Sequence, residues 1–162
     1  MVRFENVGMR YGLGPEILRD ISFTLDAGSS QPVVLLAGGI GITPFVGMLR
    51  VADAKSAPRR IRLFHANRRP GEAAFLRELL ALAERNPALE VIPTMTGADF
   101  EEAWTGERGR IDAAMLDRYL GSAPATYYLA GPPTMARALT DLLHARGIGD
   151  DEIHVDAFYG YP

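Results

Sequence analysis

Val33 to Pro44, VVLLAGGIGITP, is the stretch that decides the fold. Its first five residues are continuously apolar, which is typical of a strand buried on both faces. Three glycines follow within four positions, and glycine lets the backbone turn sharply and approach a ligand closely. Thr43 can then cap a helix, and Pro44 suits its first position. The free amides of that first turn predict a pyrophosphate site, although a strand-to-helix junction without a ligand favours the same residues.

The composition describes a folded chain about one domain long. Of its 162 residues, 48% are hydrophobic and 23% are charged, and the net charge is −3. These values indicate neither disorder nor a surface for nucleic acid. The absence of cysteine excludes disulfides, thiolate metal sites and a ligated iron–sulfur cluster. No signal-peptide core and no run near the roughly 18 apolar residues of a membrane span is present, so we expect a cytoplasmic protein without membrane contact.

Metal binding is also not expected from the sequence. His65, His144 and His154 have no ligand-like spacing, and neither cysteine nor an HExxH pattern accompanies them. No pattern typical of a nucleophilic triad is present either. The candidate chemistry therefore rests on the glycine turn and on what surrounds it.

The first 30 residues differ in pattern from the rest of the chain. VRFENV and ILRDISFTL carry apolar residues at alternate positions, and a GLGP turn signal separates them. We therefore predict a short N-terminal antiparallel β segment within residues 1–30. Because a two-stranded ribbon is marginally stable alone, it should pair with the main sheet, another chain or another domain.

From residue 31 onward, strand-like and helical stretches alternate. The predicted strands are VVLLA (33–37), IRLFH (61–65), LEVIPTM (89–95), TYYLA (126–130) and EIHVDAF (152–158). This rhythm predicts an α/β fold with a five-stranded, parallel, doubly wound, Rossmann-like sheet in the order 3-2-1-4-5. Ligands of such sheets bind beyond the carboxyl ends of the strands. GGIGITP and GPPTM both lie at such ends and are expected to flank one cleft.

Six motifs in order resemble the pyridine-nucleotide domain of the ferredoxin reductase family. They are GGIGITP, HANRRPGEAAFLREL, TMTG, GERGRID, YYLAGPPTM and FYGY. The resemblance covers residues 31–162 and implies an NAD(P)H-dependent oxidoreductase. In that family the nicotinamide meets a flavin, FAD or FMN, which a preceding β-barrel domain holds and which passes electrons to an acceptor.

The resemblance also implies roles for individual residues. The glycine turn would hold the pyrophosphate and the nicotinamide end, with the Thr43 hydroxyl close to the ring, and the GPPTM loop would form the opposite wall. The residues implied for these two loops are Gly39, Ile40, Gly41, Thr43, Pro44, Gly131, Pro132, Pro133 and Met135. Tyr159 and Tyr161 match an aromatic ending that covers the flavin ring in some members, and packing of a terminal strand is the alternative.

A third group of residues is implied for the adenosine end. Asn67, Arg68 and Arg69 lie where the family contacts the adenosine ribose. Two guanidinium groups there would clamp a 2′-phosphate and so slightly favour NADP over NAD, although exposed arginines before a Pro-Gly turn are also common without a ligand. No acidic residue ends this strand, which removes the usual signal for NAD. Thr94 and Thr96 are expected to line the adenine side or to be structural.

The first 29 residues resemble the start of an ABC-type cell-division ATPase, in which a tyrosine like Tyr11 stacks on adenine. No Walker A lysine follows, so ATP hydrolysis is not expected. Residues 22–30 also fit the end of a ferredoxin reductase barrel. We therefore expect residues 1–30 to be an ATPase-like start or a barrel remnant, and residues 31–162 to be the NAD(P)-binding domain.

The flavin motif of the family, Arg-x-Tyr-Ser/Thr, is not found in this sequence. A flavin-bearing domain or protein and an electron acceptor are therefore the expected partners, and the chain is expected to be incomplete as an enzyme alone. The alternative is a non-catalytic nucleotide-binding or assembly domain, produced by fusion or truncation, that forms a homodimer through residues 1–25.

Overall fold

In the part of the chain that the structure describes, two β-sheets are formed, one of two strands and one of six. The computed structural model describes residues 2–10, 16–25, 31–54, 59–97, 104–121 and 123–157. Strands β1 (Val2–Arg10) and β2 (Glu16–Leu25) pair antiparallel and make up the smaller sheet. The predicted antiparallel pairing of the first 30 residues is therefore confirmed.

The larger sheet is parallel throughout. Its strands are β3 (Val33–Gly38), β4 (Ile61–Asn67), β5 (Leu89–Met95), β6 (Glu107–Arg108), β7 (Thr126–Gly131) and β8 (Ile153–Ala157). They lie in the order β6-β5-β4-β3-β7-β8. The five predicted strands have the predicted relative order, with β3 at the centre.

The predicted number of strands was wrong, because the sheet has six strands and not five. The additional strand, β6, consists only of Glu107 and Arg108, which pair with Thr94 and Met95 at the edge of the sheet. A two-residue strand is too short to show the alternation of apolar and polar residues by which strands are found in a sequence. Its position at the β5 edge leaves the order of the other five unchanged.

Helices cover both faces of the sheet. They are α1 (Thr43–Ala54), α2 (Leu76–Arg85), α3 (Ala113–Tyr119) and α4 (Pro133–Ala145). All six residues of β3 are buried, as its apolar run predicts. Val33 and Leu35 pack in a core with side chains of α1 and α2, whereas Val34 and Leu36 pack in a second core with α3 and α4. The sheet is therefore doubly wound.

Two helix ends show how local sequence fixes these elements. The Asp112 carboxylate accepts a hydrogen bond from the Met115 amide at 2.8 Å and so caps α3. Gly147, with φ of +80°, follows the end of α4 in the left-handed conformation that glycine adopts without strain. No helix in the described ranges combines the length and apolar character that crossing a membrane requires.

Candidate functional site

The glycine turn lies at the carboxyl end of the central strand. After β3 the chain forms one 3₁₀ turn over Gly39–Ile42, and α1 follows directly. Gly39 has φ of +54°, which a residue with a side chain rarely adopts. A Cβ at Gly41 would collide with the carbonyl oxygen of Ala130 on the neighbouring strand. Glycine is therefore needed for conformation at one position and for space at the other.

Thr43 is engaged differently from the predicted helix cap. Its hydroxyl donates a hydrogen bond to the carbonyl oxygen of Ile40 at 2.8 Å, and its amide donates to the same oxygen. The hydroxyl therefore closes the 3₁₀ turn as a donor, whereas a capping hydroxyl accepts from the first turn of the helix. Pro44 is buried and is the second residue of α1, where a missing amide hydrogen is tolerated.

The GPPTM segment, residues 131–135, packs directly against the glycine turn. A Cβ at Gly131, the last residue of β7, would lie 3.1 Å from the amide nitrogen of Gly38. A Cβ at Gly38 would in turn lie 3.0 Å from Cδ of Pro132 and would collide with the sulfur of Met135. The two loops that were expected to flank one cleft are thus in contact, because β3 and β7 are neighbours in the sheet.

A cavity of about 830 Å³ lies at the carboxyl ends of the strands. Its size is within the range of small-molecule and cofactor sites. Its lining combines glycine, apolar side chains and a small number of polar and charged groups. The lining residues are Gly38, Gly39, Ala66, Asn67, Arg68, Glu72, Thr96, Arg110, Ile111, Pro132, Thr134, Met135, Ala138 and Leu139.

Asn67 ends β4 at this cavity and is buried, with 6% of its surface exposed. Its carbonyl oxygen accepts hydrogen bonds from the amide of Thr96 at 2.8 Å and from the Thr96 hydroxyl at 3.1 Å. Its side-chain nitrogen, Nδ2, is buried and finds no hydrogen-bond partner within the described part of the chain. An unpaired buried donor is costly, so a ligand atom that accepts from Nδ2 would complete the site.

The two arginines after Asn67 differ in position. Arg68 is exposed and lines the cavity, and its carbonyl oxygen accepts from the Gly97 amide at 2.9 Å. Arg69 is exposed and is not among the residues that line the cavity, and its Cγ lies beside Gly97. Of the two arginines expected at the adenosine end, Arg68 is therefore the one that lines the cavity.

Thr94, in β5, and Thr96, directly after it, also differ in their position relative to the cavity. Thr96 lines the cavity, whereas Thr94 is completely buried and donates its hydroxyl to the carbonyl oxygen of Gly109 at 2.7 Å. The amide of Gly109 donates to the carbonyl oxygen of Met95 at 2.8 Å. Thr94 thus lies behind the cavity wall, where it holds the segment that leads to Arg110.

His65 lies behind the glycine turn and is completely buried on β4. Its Nε2 atom is 3.3 Å from the carbonyl oxygen of Gly39. Burial lowers the pKa of His65 to about 4, against a smaller raising effect of the bond to Gly39, so the ring is neutral at pH 7. Because a carbonyl oxygen only accepts, the single ring proton belongs on Nε2, and Nδ1 is buried with no partner among the described residues.

The structure places the sequence-predicted site residues in two groups. Those that line the cavity are Gly39, Asn67, Arg68, Thr96, Pro132 and Met135. The others do not line it and lie in the neighbouring turns and strands or in the first turns of α1 and α4: Ile40, Gly41, Thr43, Pro44, Arg69, Thr94, Gly131 and Pro133. Tyr159 and Tyr161 lie outside the described residues, as does Tyr11 of the ATPase-like segment.

Two charged residues at the cavity were missed by the sequence analysis. Arg110 follows β6, and Glu72 belongs to a 3₁₀ turn five residues beyond the end of β4. The GERGRID motif, which contains Arg110, was the available signal. No sequence signal indicated Glu72. In nucleotide-binding domains, the acidic residue that contacts a ribose is expected directly at the end of a strand, and Glu72 lies five residues beyond the end of β4.

A parallel, doubly wound sheet with a cavity over its carboxyl ends, bounded by a glycine turn, defines the class of nucleotide-binding α/β domains. The sequence profile of the oxidoreductase NAD-binding domain family matches residues 35–141. The chain belongs to this family, and the resemblance to the pyridine-nucleotide domain of ferredoxin reductase-like oxidoreductases is confirmed.

Individual relatives extend this result. The chain is 36% identical over 139 residues to a flavohemoprotein of Bordetella pertussis, an alignment that covers 84% of this chain and 35% of the relative. It is 30% identical over 140 residues to the reductase component of propane 2-monooxygenase from Mycolicibacterium smegmatis, covering 85% of this chain and 40% of the relative. These curated relatives are thus matched over 35% to 40% of their length.

A solved structure agrees with the fold. The flavohemoglobin from Malassezia yamatoensis, solved with bound FAD and heme, superposes with a TM-score of 0.71 and 27% identity. The superposition covers 84% of this chain and 33% of that protein. The chain therefore corresponds to the NAD-binding part of such oxidoreductases.

Proposed function

We propose that the cavity binds NADH or NADPH and that the bound nicotinamide passes a hydride to a flavin, FAD or FMN, carried by another domain or a partner protein. The cavity of about 830 Å³ between the Gly39 turn and the Pro132 loop carries this proposal. Its volume suits a cofactor, and its position suits a dinucleotide that lies across the strand ends.

In this proposal the turn after β3 faces the pyrophosphate. Gly39 keeps a side chain out of the path of the ligand, Gly41 lets the turn pack closely against β7, and the amides of Gly39, Ile40 and Gly41 are the proposed donors to phosphate oxygens. Thr43, at the start of α1, positions the nicotinamide, with the Gly131 to Met135 loop as the facing wall. When bound, reduced nicotinamide supplies a hydride from its C4 carbon, with both electrons of the C–H bond, and remains as oxidised nicotinamide.

The partners follow from the same assignment. The named relatives are flavohemoproteins and a monooxygenase reductase component, which supports a path from nicotinamide through flavin to a further electron acceptor. Tyr159 and Tyr161 are proposed to stack on the flavin or nicotinamide ring, on the strength of the aromatic ending that the chain shares with the family.

The adenosine end is proposed to bind at Asn67, Arg68 and Arg69, with Thr94 and Thr96 on the adenine side and with NADPH slightly favoured over NADH. The position of Arg68 at the cavity supports this preference, because a guanidinium group presents two parallel donors to a phosphate. Exchange of Arg68 and Arg69 for Ala is expected to weaken NADPH binding more than NADH binding. Equal losses for the two cofactors would contradict the preference.

Calorimetric titration with NADH and with NADPH tests the proposed function directly. Saturable binding of at least one of them is expected, and a folded protein that binds neither overturns the proposal. The hydride step is tested by following oxidation of the reduced nicotinamide with free FAD or FMN added as acceptor. The absorbance spectrum of the purified protein then shows whether a flavin is already bound, and an ATP titration serves as the control for the ATPase-like segment.

A second candidate function is a non-catalytic assembly role. Strands β1 and β2 form a sheet of their own within the described part of the chain, and strands that have one unpaired edge can pair with other chains. We propose that residues 1–25 mediate homodimer formation if this role is the correct one. The native mass of the chain with and without residues 1–25 separates the alternatives, since an unchanged monomer rejects it.

A further inference from the structure

The β4 to β6 side of the cavity carries two cations. Arg68 follows β4 and Arg110 follows β6, and both are exposed residues that line the cavity. We propose that these two guanidinium groups together bind a phosphate monoester on the adenosine ribose, and that Arg110 decides the preference of the site for NADPH over NADH. This inference rests on the proposed function, since it assigns the cofactor of the same cavity.

Arg110 is placed by the residue before it. The amide of Gly109 donates a hydrogen bond to the carbonyl oxygen of Met95 at 2.8 Å. The carbonyl oxygen of Gly109 accepts a hydrogen bond from the Thr94 hydroxyl at 2.7 Å. Gly109 has a φ of +95°, which is accessible to glycine without strain. The backbone that carries Arg110 is therefore attached to the end of β5 at two points, so the guanidinium group starts from a fixed position beside the cavity.

The order of the strands separates this end of the cavity from the pyrophosphate turn. Gly39 follows β3, and β6 lies three strands further along the sheet. At roughly 4.8 Å per strand, the ends of β3 and β6 are about 14 Å apart. A dinucleotide whose pyrophosphate contacts the Gly39 turn therefore reaches Arg110 with its adenosine half, where NADPH and NADH differ by one phosphate.

Asn67 gives a second, independent indication that a ligand completes this side. Its Nδ2 is buried and has no partner in the described part of the chain, and Asn67 itself is one of the residues that line the cavity. Glu72 acts in the opposite direction, because it lines the same cavity and a carboxylate repels a phosphate. Two guanidinium groups against one carboxylate leave the polar lining with one excess positive charge, which favours the additional phosphate of NADPH.

The test compares ligands that differ only in that phosphate. The dissociation constants of 2′,5′-ADP and 5′-AMP, and of NADPH and NADH, are measured by calorimetry for the wild type, Arg110→Ala and Arg110→Lys. Arg60→Ala is the matched control. Arg60 is exposed and directly precedes β4, so it lies at the amino ends of the strands, whereas the cavity lies at their carboxyl ends. The same titrations of the wild type at increasing salt need no variant.

We expect the wild type to prefer 2′,5′-ADP and NADPH, with a preference that falls as salt increases. Arg110→Ala should weaken both of these ligands about ten-fold and leave 5′-AMP and NADH within two-fold, as one lost charge-assisted bond predicts. Arg110→Lys should recover part of the loss, and Arg60→Ala should change nothing. Equal weakening of NADPH and NADH, or a wild type that prefers NADH, overturns the inference alone, whereas no binding of either dinucleotide overturns the proposed function as well.

Discussion

The Nε2 atom of His65 lies 3.3 Å from the carbonyl oxygen of Gly39, and this contact joins β4 to the glycine turn after β3. Gly39 is in the left-handed conformation, and His65 is completely buried beneath it. The imidazole does not line the cavity. We therefore expect His65 to act as a positioning residue that fixes the direction of the Gly39 peptide and, with it, the next amides of the turn.

Removal of the His65 donor should therefore weaken dinucleotide binding. His65→Phe keeps the size of the ring but cannot donate to Gly39, and we expect about five- to ten-fold weaker binding of NADPH and NADH alike, equivalent to one hydrogen bond. His65→Gln retains an N–H donor and should bind more tightly than His65→Phe. Calorimetry checks both, and a His65→Phe variant that folds and binds as tightly as the wild type would exclude the positioning role.

The lowered pKa of His65 predicts a loss of stability on acidification. The unfolded ring takes up a proton near pH 6.5 while the folded ring stays neutral down to about pH 4, so protons favour the unfolded chain between these values. Between pH 7 and pH 5 this group alone should remove about 2 kcal/mol from the free energy of unfolding. Urea denaturation at the two pH values should show a correspondingly smaller loss in His65→Phe, and equal losses would contradict the assignment.

Gly41 should not tolerate a side chain. A methyl group there collides with the carbonyl oxygen of Ala130, so Gly41→Ala must separate the turn from β7. We expect a loss of about 1–3 kcal/mol in the free energy of unfolding, together with weaker dinucleotide binding. Gly121→Ala is the matched control, since a Cβ at Gly121 has open space, and it should change stability by no more than about 0.5 kcal/mol. Thermal unfolding and calorimetry measure the two effects.

Replacement of Asn67 should weaken dinucleotide binding without lowering the stability of the fold. Asn67→Leu replaces a buried amide whose Nδ2 is unpaired by an apolar group of similar size, so the variant should be as stable as the wild type or more stable by about 1 kcal/mol. It should nevertheless bind NADPH and NADH at least five-fold more weakly. The control is Asn86→Ala, which removes a hydrogen bond of 3.0 Å to the Ala88 amide and should lower stability without affecting binding. A destabilised Asn67→Leu that binds normally would refute this role.

Thr94 should act on binding only through the Gly109 segment. Thr94→Val keeps the buried shape but removes the hydroxyl that donates to Gly109, which should cost about 1–2 kcal/mol of stability. Because Gly109 precedes Arg110, NADPH binding should weaken more than NADH binding. Thr140→Val is the control, since the Thr140 hydroxyl bonds Ala136 within α4. If Thr94→Val lowers stability and leaves the ratio of the two affinities unchanged, Thr94 has no influence on Arg110.

Much of the fold was predictable because its signals are local. The apolar run of β3, the Asp112 cap and the alternation of strands and helices each depend on a few adjacent residues. β6 was not predictable, because its two residues become a strand only by pairing with β5. The sequence thus predicts the elements whose residues show a periodic pattern of their own. It misses β6, which is a strand only because it pairs with β5.

The candidate site divides in the same way. Gly39, Asn67 and Thr96 lie within two residues of the ends of predicted strands, and the rule that ligands bind at carboxyl ends was sufficient to find them. Arg110 and Glu72 reach the cavity through loops, whose paths depend on hydrogen bonds between distant segments, such as that between Gly109 and Met95. The spacing of residues along the sequence does not predict these hydrogen bonds, so it does not predict where the two side chains lie.

The contact between Gly38 and Gly131 has a consequence for how this site can be changed. A Cβ at Gly38 would collide with the sulfur of Met135, and a Cβ at Gly131 would lie 3.1 Å from the amide nitrogen of Gly38, so each segment limits what the other can accept at this half of the cavity. Arg68, Glu72 and Arg110 are exposed side chains at the other half and carry no such restriction. In the proposed binding mode, cofactor preference can therefore be altered at these three positions, by selection or by design, without changing the closely packed Gly38 and Gly131 segments.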